Sequence, residues 1–193
     1  STLSSQNVTW EKSTKKDLGL DFTLFNSAVT GTIDYFHEQR DGIYMVREYL
    51  PPSIGLNSDN PSANVGSVLS KGFDGNIALQ HKIGKVDITW RGNITYSKNK
   101  ILEDDEQYSH YPYTQKAGFR VNQARGLVSL GLFKDYEDIR NSPTQKYGTV
   151  MPGDIKYKDI NGDGIVDDND IVAVGSTTKP NLVYGFGVSG SWE

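Results

Sequence analysis

The sequence predicts an all-β fold: antiparallel up-and-down strands from a transmembrane β-barrel, incomplete in itself, with long outer loops. Three observations carry this. Apolar and polar residues alternate with period two through several segments. Very short turns alternate along the chain with very long connections. No stretch of about 18 apolar residues exists, which leaves strands as the only way for this chain to cross a bilayer.

The first strand sets Leu18, Leu20, Phe22 and Leu24 against Asp17, Gly19, Asp21 and Thr23. A turn around Asn26-Ser27 follows. The second strand sets Val29, Gly31, Ile33 and Tyr35 against Thr30, Thr32 and Asp34, with Phe36 falling on the polar register. In the third, Phe73, Gly75, Ile77 and Leu79 alternate with Asp74, Asn76, Ala78 and Gln80. The tight link Lys82-Ile83-Gly84 joins it to the fourth as a hairpin. There Val86, Ile88, Trp90, Gly92, Ile94 and Tyr96 oppose Asp87, Thr89, Arg91, Asn93, Thr95 and Ser97, a clean two-faced strand. The fifth places Leu182, Tyr184, Phe186, Val188 and Trp192 on one face and Gly185, Gly187, Ser189 and Ser191 on the other.

Both short turns, near 26–28 and 82–84, fall on one rim. Both long connections, about 45–68 and about 99–180, fall on the other. A soluble sandwich has turn signals every ~8–12 residues on both sides; the one-sided arrangement belongs to transmembrane barrels. A strand of about twelve residues reaches roughly 40 Å, and a tilt of ~45° projects it to about 28 Å. That suffices for a hydrocarbon core about 30 Å thick. Apolar faces are then expected to meet lipid, with Asp17, Asp21, Asp34, Asp74, Arg91 and Asn93 lining the lumen. Tyr35, Tyr96 and Trp192 stand where an interfacial girdle would. The chain 1–193 reads as one partial barrel domain, with 99–180 as its long outer loop.

Composition excludes several classes. A net charge of −4 without any Lys/Arg cluster argues against a nucleic-acid surface. With no cysteine, disulfides and thiol catalysis are impossible. His37, His81 and His110 show no ligand spacing. The run Glu103–Glu106 reads as a solvated loop, and Tyr108, Tyr111, Tyr113 and Phe119 as loop packing or a stacking surface. No acid–base or nucleophile constellation marks an enzyme. Ser1–Asn7 is not a signal peptide, and alternation still runs at Trp192-Glu193. Five strands cannot close a barrel, so a fragment is expected.

One motif carries metal chemistry. Asp159–Asp170 matches the twelve-residue calcium loop. Asp159, Asn161 and Asp163 supply side-chain oxygens at positions 1, 3 and 5. Gly164 takes the sharp turn at position 6. Ile165 offers its backbone carbonyl, and its side chain can pack beneath the loop. Asp167 acts directly or through water, and Asp170 holds position 12, with a shorter reach than the usual Glu. These hard oxygens favour calcium. Flanking helices are not expected, so the loop reads as a structural staple. The bland alternative is an acidic, Gly-rich surface turn. One helical turn is expected over 135–140, closed by Asn141-Ser142-Pro143.

The ordered motifs resemble one family along nearly the whole chain. Trp10-Glu11-Lys12-Ser13 with Leu18-Gly-Leu20-Asp21-Phe22 resembles a strand of SusC/RagA-type TonB-dependent transporters. Thr32–Phe36, Arg40–Ile43, Leu50-Pro51 through Gly55, Asn64–Gly66 and Lys71–Phe73 continue in order. Gly131–Phe133, Glu137–Ile139, Pro152–Tyr157, the calcium-type loop, Pro180 and Tyr184–Phe186 complete it. The resemblance implies an outer-membrane importer of glycans or peptides, seated in outer-membrane lipid. It also implies a SusD-like surface lipoprotein partner and energising through TonB, by way of N-terminal parts absent from this chain. The rival expectation is a secreted, calcium-stabilised β-sandwich binding module.

Overall fold

The computed structural model describes residues 8–48 and 60–192. The expectations for Ser1–Asn7 and Leu50–Gly55 lie outside the described residues. Five long strands form one antiparallel sheet in the order β1-β2-β3-β4-β11. They are β1 (Lys12–Leu24), β2 (Val29–Val46), β3 (Ser62–Ile83), β4 (Val86–Glu103) and β11 (Leu182–Trp192). Consecutive strands are neighbours, so the sheet is an up-and-down meander left open at β1 and β11.

The period-two pattern of the sequence becomes a register. Four rows cross all five strands on one face: Leu18–Tyr35–Phe73–Tyr96–Leu182, Leu20–Ile33–Gly75–Ile94–Tyr184, Phe22–Gly31–Ile77–Gly92–Phe186 and Leu24–Val29–Leu79–Trp90–Val188. Among the described residues no buried apolar core lies in this sheet. Leu18 is 74% exposed and Phe186 85%, and the two buried apolar residues among those described, Phe133 and Val166, lie outside the sheet. A wide apolar face on a sheet this long is unstable in water. Lipid is the solvent that fits it.

Both hairpin turns depend on positive φ. Gly84, at φ +63, leads the two-residue link to β4, where only glycine adopts this backbone cheaply. The turn is thus Gly84-Lys85, one residue later than the spacing predicts. Phe25, Asn26 and Ser27 also hold positive φ, and the Ala28 N–H donates to the Phe25 carbonyl at 3.1 Å.

The strands on the far rim are longer than the alternation shows. β3 begins at Ser62 and β4 runs to Glu103, so the connections shrink to 47–61 and 104–181. Above the hydrocarbon both faces are wet, and the hydrophobic period that marks a strand disappears there.

Residues 106–178, between β4 and β11, form a second compact unit. It contains β5 (Gln123–Gly126), β6 (Ser129–Leu132), β7 (Thr144–Gln145), β8 (Ile155–Tyr157), β9 (Ile165–Val166), β10 (Val172–Thr177) and α1 (Tyr136–Arg140). They pair as β5–β10, β6–β8 and, in parallel, β7–β9. The expected helical turn is therefore present. Asp135 caps it by accepting the Asp138 N–H at 2.8 Å. Arg125 replaces a hydrophobic core locally: its guanidinium donates to the carbonyls of Tyr113, Thr114 and Gln115 and lies over the Phe119 ring.

Candidate functional site

The sheet's second face is polar. Its rows read Gly19–Asp34–Asp74–Thr95–Val183, Asp21–Thr32–Asn76–Asn93–Gly185 and Thr23–Thr30–Ala78–Arg91–Gly187, with Asp17 opposite Phe36 beyond them. All six residues expected to line a lumen share this face. Asp34 and Asp74 are direct cross-strand neighbours, where like charges repel. Relief comes from Gly19: the Asp34 carboxylate occupies the space a β-carbon at Gly19 would fill, so it leans away from Asp74. Asn76 donates to the Thr32 hydroxyl at 2.6 Å. Phe36, the exception to alternation, lays its ring against Gly72 and covers bare backbone there.

The acidic loop sits within the second unit. The Asp159 carboxylate accepts the N–H of Gly162 at 2.6 Å and of Gly164 at 2.8 Å. Asp163 accepts from Ile165 at 2.8 Å, and Asn161 donates its amide to Asp163. Gly162 and Gly164 have φ of +77 and +82, so the turn needs glycine at both. Asp170 is fully buried and accepts from Ile160, Asn161 and Asp167 backbone N–H groups, closing the loop on itself. Asp167 accepts from Asn169 N–H at 2.9 Å and from Lys146 Nζ at 2.9 Å, and these two bonds hold its carboxyl below the usual range. Within the loop Val166 is the fully buried apolar residue, while the Ile165 side chain is half-buried.

Among the described residues no three His, Cys, Asp or Glu side chains are gathered into a metal cage. A cation here would also draw on the Asn161 amide oxygen and the Ile165 carbonyl. Two neighbours sense the loop's negative charge. Tyr147 donates to Asp168 at 2.9 Å, and burial with that bond pushes its phenol up to about 12. Tyr113 is raised by burial first, then by Asp170, Tyr111, Asp159 and Asp163, and its buried hydroxyl has no hydrogen-bond partner among the described residues. Lys146 and Tyr147 are site residues that sequence reasoning missed, and Tyr113 reads there only as packing or stacking. They lie outside the twelve-residue loop and match no spacing rule.

A lipid-facing outer wall, a polar inner wall and long connections on one rim define a transmembrane β-barrel of the outer-membrane type. The profile of the family described as TonB dependent receptor-like, beta-barrel matches residues 1–192. The chain belongs to that family and is an outer-membrane protein. TonB-dependent receptor P26 of Formosa agariphila is 29% identical over 195 residues, covering 95% of this chain and 19% of the relative. TonB-dependent receptor SusC of Bacteroides thetaiotaomicron is 28% identical over 181 residues, covering 86% and 17%. The solved RagAB peptide importer, in its "closed-closed" state, superposes with a TM-score of 0.66 at 16% identity. It covers 96% of this chain and 20% of its own, a likeness of fold. The chain thus spans about a fifth of the length of the relatives it matches. The soluble sandwich is set aside, because the family profile and the solved fold that match this chain are those of a transmembrane β-barrel.

Proposed function

We propose that this chain supplies one section of the wall and one outer connection of a TonB-energised importer. The importer takes up glycans or peptides together with a SusD-like surface lipoprotein. The observation that carries this reading is the pair of opposed faces on a single sheet. The apolar one suits lipid, and the one bearing Asp34, Asp74, Arg91 and Asn93 suits a hydrated passage. Polar groups on a rigid strand face give a solute hydrogen-bonding partners without moving the wall. The likeness to RagAB, a peptide importer, and to SusC, a TonB-dependent receptor, supports an importer of this class. The test is uptake in the native host after deletion of the gene encoding this segment. Labelled oligosaccharides and oligopeptides should lose entry in one class, and dissipating the proton gradient should abolish the same uptake. A lipoprotein should co-purify from detergent-solubilised membranes. Uptake unchanged by both treatments would refute the proposal.

Asp159, Asn161, Asp163 and the Ile165 carbonyl fit calcium as hard oxygen donors on one tight loop. Asp167 joins if Lys146 releases it, while Asp170 serves the loop's backbone. The Tyr113 hydroxyl, buried without a partner, supports a further oxygen such as a bound water in the loop. The ion's contribution would be to pin the outer connection. Calcium titration with tyrosine-sensitised terbium emission tests this. Emission should rise on terbium addition, fall on calcium addition, and vanish in Asp159→Ala or Asp163→Ala. Emission indifferent to calcium would reject the ion and leave a hydrogen-bonded turn.

A further inference from the structure

On the outward face, immediately beyond the row Leu18–Tyr35–Phe73–Tyr96–Leu182, the register assembles basic side chains. It sets Lys16 beside His37, His37 beside Lys71, and Lys71 beside Lys98. Lys100 stands one row further on. Residues scattered over 16–98 in sequence thus become lateral neighbours. Lys16, Lys71, Lys98 and Lys100 are all exposed. None has an ion-pair partner among the described residues. The first carboxylates met further along this face share one row: Asp41, opposite Lys12 and engaged by the Ser67 hydroxyl at 2.5 Å and the Gln39 amide at 3.1 Å, and Glu103, opposite Ser67.

Directly opposed like charges weaken a sheet, so a Lys–His–Lys–Lys row needs anions close by to be tolerated. Depth identifies which anions. From Tyr96 to Lys98 is two residues, roughly 7 Å along the strand and about 5 Å along the membrane normal at barrel tilts. Tyr35, Phe73 and Tyr96 form the aromatic belt that marks the edge of the hydrocarbon. The basic row therefore stands at the level of lipid headgroups. It is on the rim with the long connections, which in such barrels faces outward. The row also continues the lipid-facing wall without a break, so lipid is what lies against it.

We propose that Lys16, Lys71 and Lys98, assisted by His37, form a docking row for phosphate-bearing lipid headgroups of the outer leaflet. Lysine ammonium groups on flexible stems serve this role because they reach phosphate as point charges without a fixed fork.

The experiment uses the intact barrel protein that carries this segment, in phosphatidylcholine nanodiscs doped with bisphosphorylated lipid A. A parallel set contains dephosphorylated lipid A. Native mass spectrometry counts the lipid A retained per barrel as the doped lipid is diluted. Phosphorylated lipid should be retained at least tenfold more tightly than its dephosphorylated counterpart. The double variant Lys71→Gln/Lys98→Gln should lower that retention roughly 25-fold, at about fivefold per lysine. Lys71→Arg/Lys98→Arg should restore it. Equal retention of the two lipids by the unaltered protein overturns the proposal, whether or not the glutamine variant folds. So does unchanged retention in a folded glutamine variant. Displacement by inorganic phosphate at matched phosphate concentration would also overturn it, since the row would then be a free-anion site.

Discussion

Ile77→Arg should destabilise the folded barrel by roughly 2–4 kcal/mol. Ile77 lies on the outward face in the row with Phe22, Gly31, Gly92 and Phe186. On β4, the outward band runs from Val86 to Tyr96, ten steps that climb roughly 33 Å along the strand and about 25 Å along the normal. Gly92, paired with Ile77, stands near the middle of that height. Arginine there meets the full thickness of hydrocarbon, and the penalty corresponds to a shift of about 30- to 900-fold in the folding equilibrium. The same change at Asn76, one residue away on the polar face, should cost no more than about 1 kcal/mol, the loss of its exposed hydrogen bond to Thr32. Ile77 is already 42% exposed. In a sheet bathed by water its replacement would therefore be nearly neutral. The assay is equilibrium urea unfolding of the intact protein in phosphatidylcholine vesicles, read by heat-modifiable gel migration. Equal, small effects at positions 76 and 77 would refute lipid contact at this face.

Other consequences follow from particular contacts. Gly72→Ala should cost about 1–3 kcal/mol, since its β-carbon would meet the Tyr96 carbonyl and the Phe36 ring. Phe36→Ala should recover only part of this, and a double-mutant cycle of unfolding energies measures the coupling. Tyr147 should titrate near pH 12 in ultraviolet difference spectra from which Tyr147→Phe removes the late step. Its raised value means that its contribution to stability is intact below pH 10 and lost as pH rises through about 12. Asp138 behaves oppositely. The bond from Lys156 Nζ and then the Lys134 N–H lower its pKa, so its contribution is present above the ordinary aspartate value of 3.8 and lost as pH falls through the depressed one. Carboxyl chemical shifts in acid should show Asp138 protonating after unpaired aspartates, and Lys156→Met should abolish the lag.

The sequence made the membrane-spanning part of the fold legible, and physics explains why that part was readable. Between Val86 and Tyr96 each outward residue meets lipid and each inward one meets water, so the pattern is forced. Beyond Tyr96, at Lys98 and Lys100, the constraint lapses, and β3 and β4 extend unannounced to Ser62 and Glu103. Phe36 looked like a fault in the pattern because its partner, Gly72, is visible only in the register. The acidic loop was legible as a linear motif. The roles of its members were not: Asp170 is spent on backbone N–H groups, Asp167 is held by Lys146, and Val166 fills the interior. Those are long-range consequences of folding 106–178 into its own unit.

The central claim is that one face of this sheet meets lipid while the other meets water. This segment has no cysteine; with any cysteine elsewhere in the intact protein replaced, single cysteines placed in turn at 86–98 can each carry a nitroxide label after reconstitution. Electron paramagnetic resonance then compares relaxation by lipid-soluble oxygen with relaxation by a water-soluble nickel chelate. The account predicts strict alternation: even positions from 86 to 96 respond to oxygen, odd positions to nickel, and position 98 crosses over to nickel. Accessibility without a period of two, or nickel reaching positions 88–94 on both faces, would contradict it.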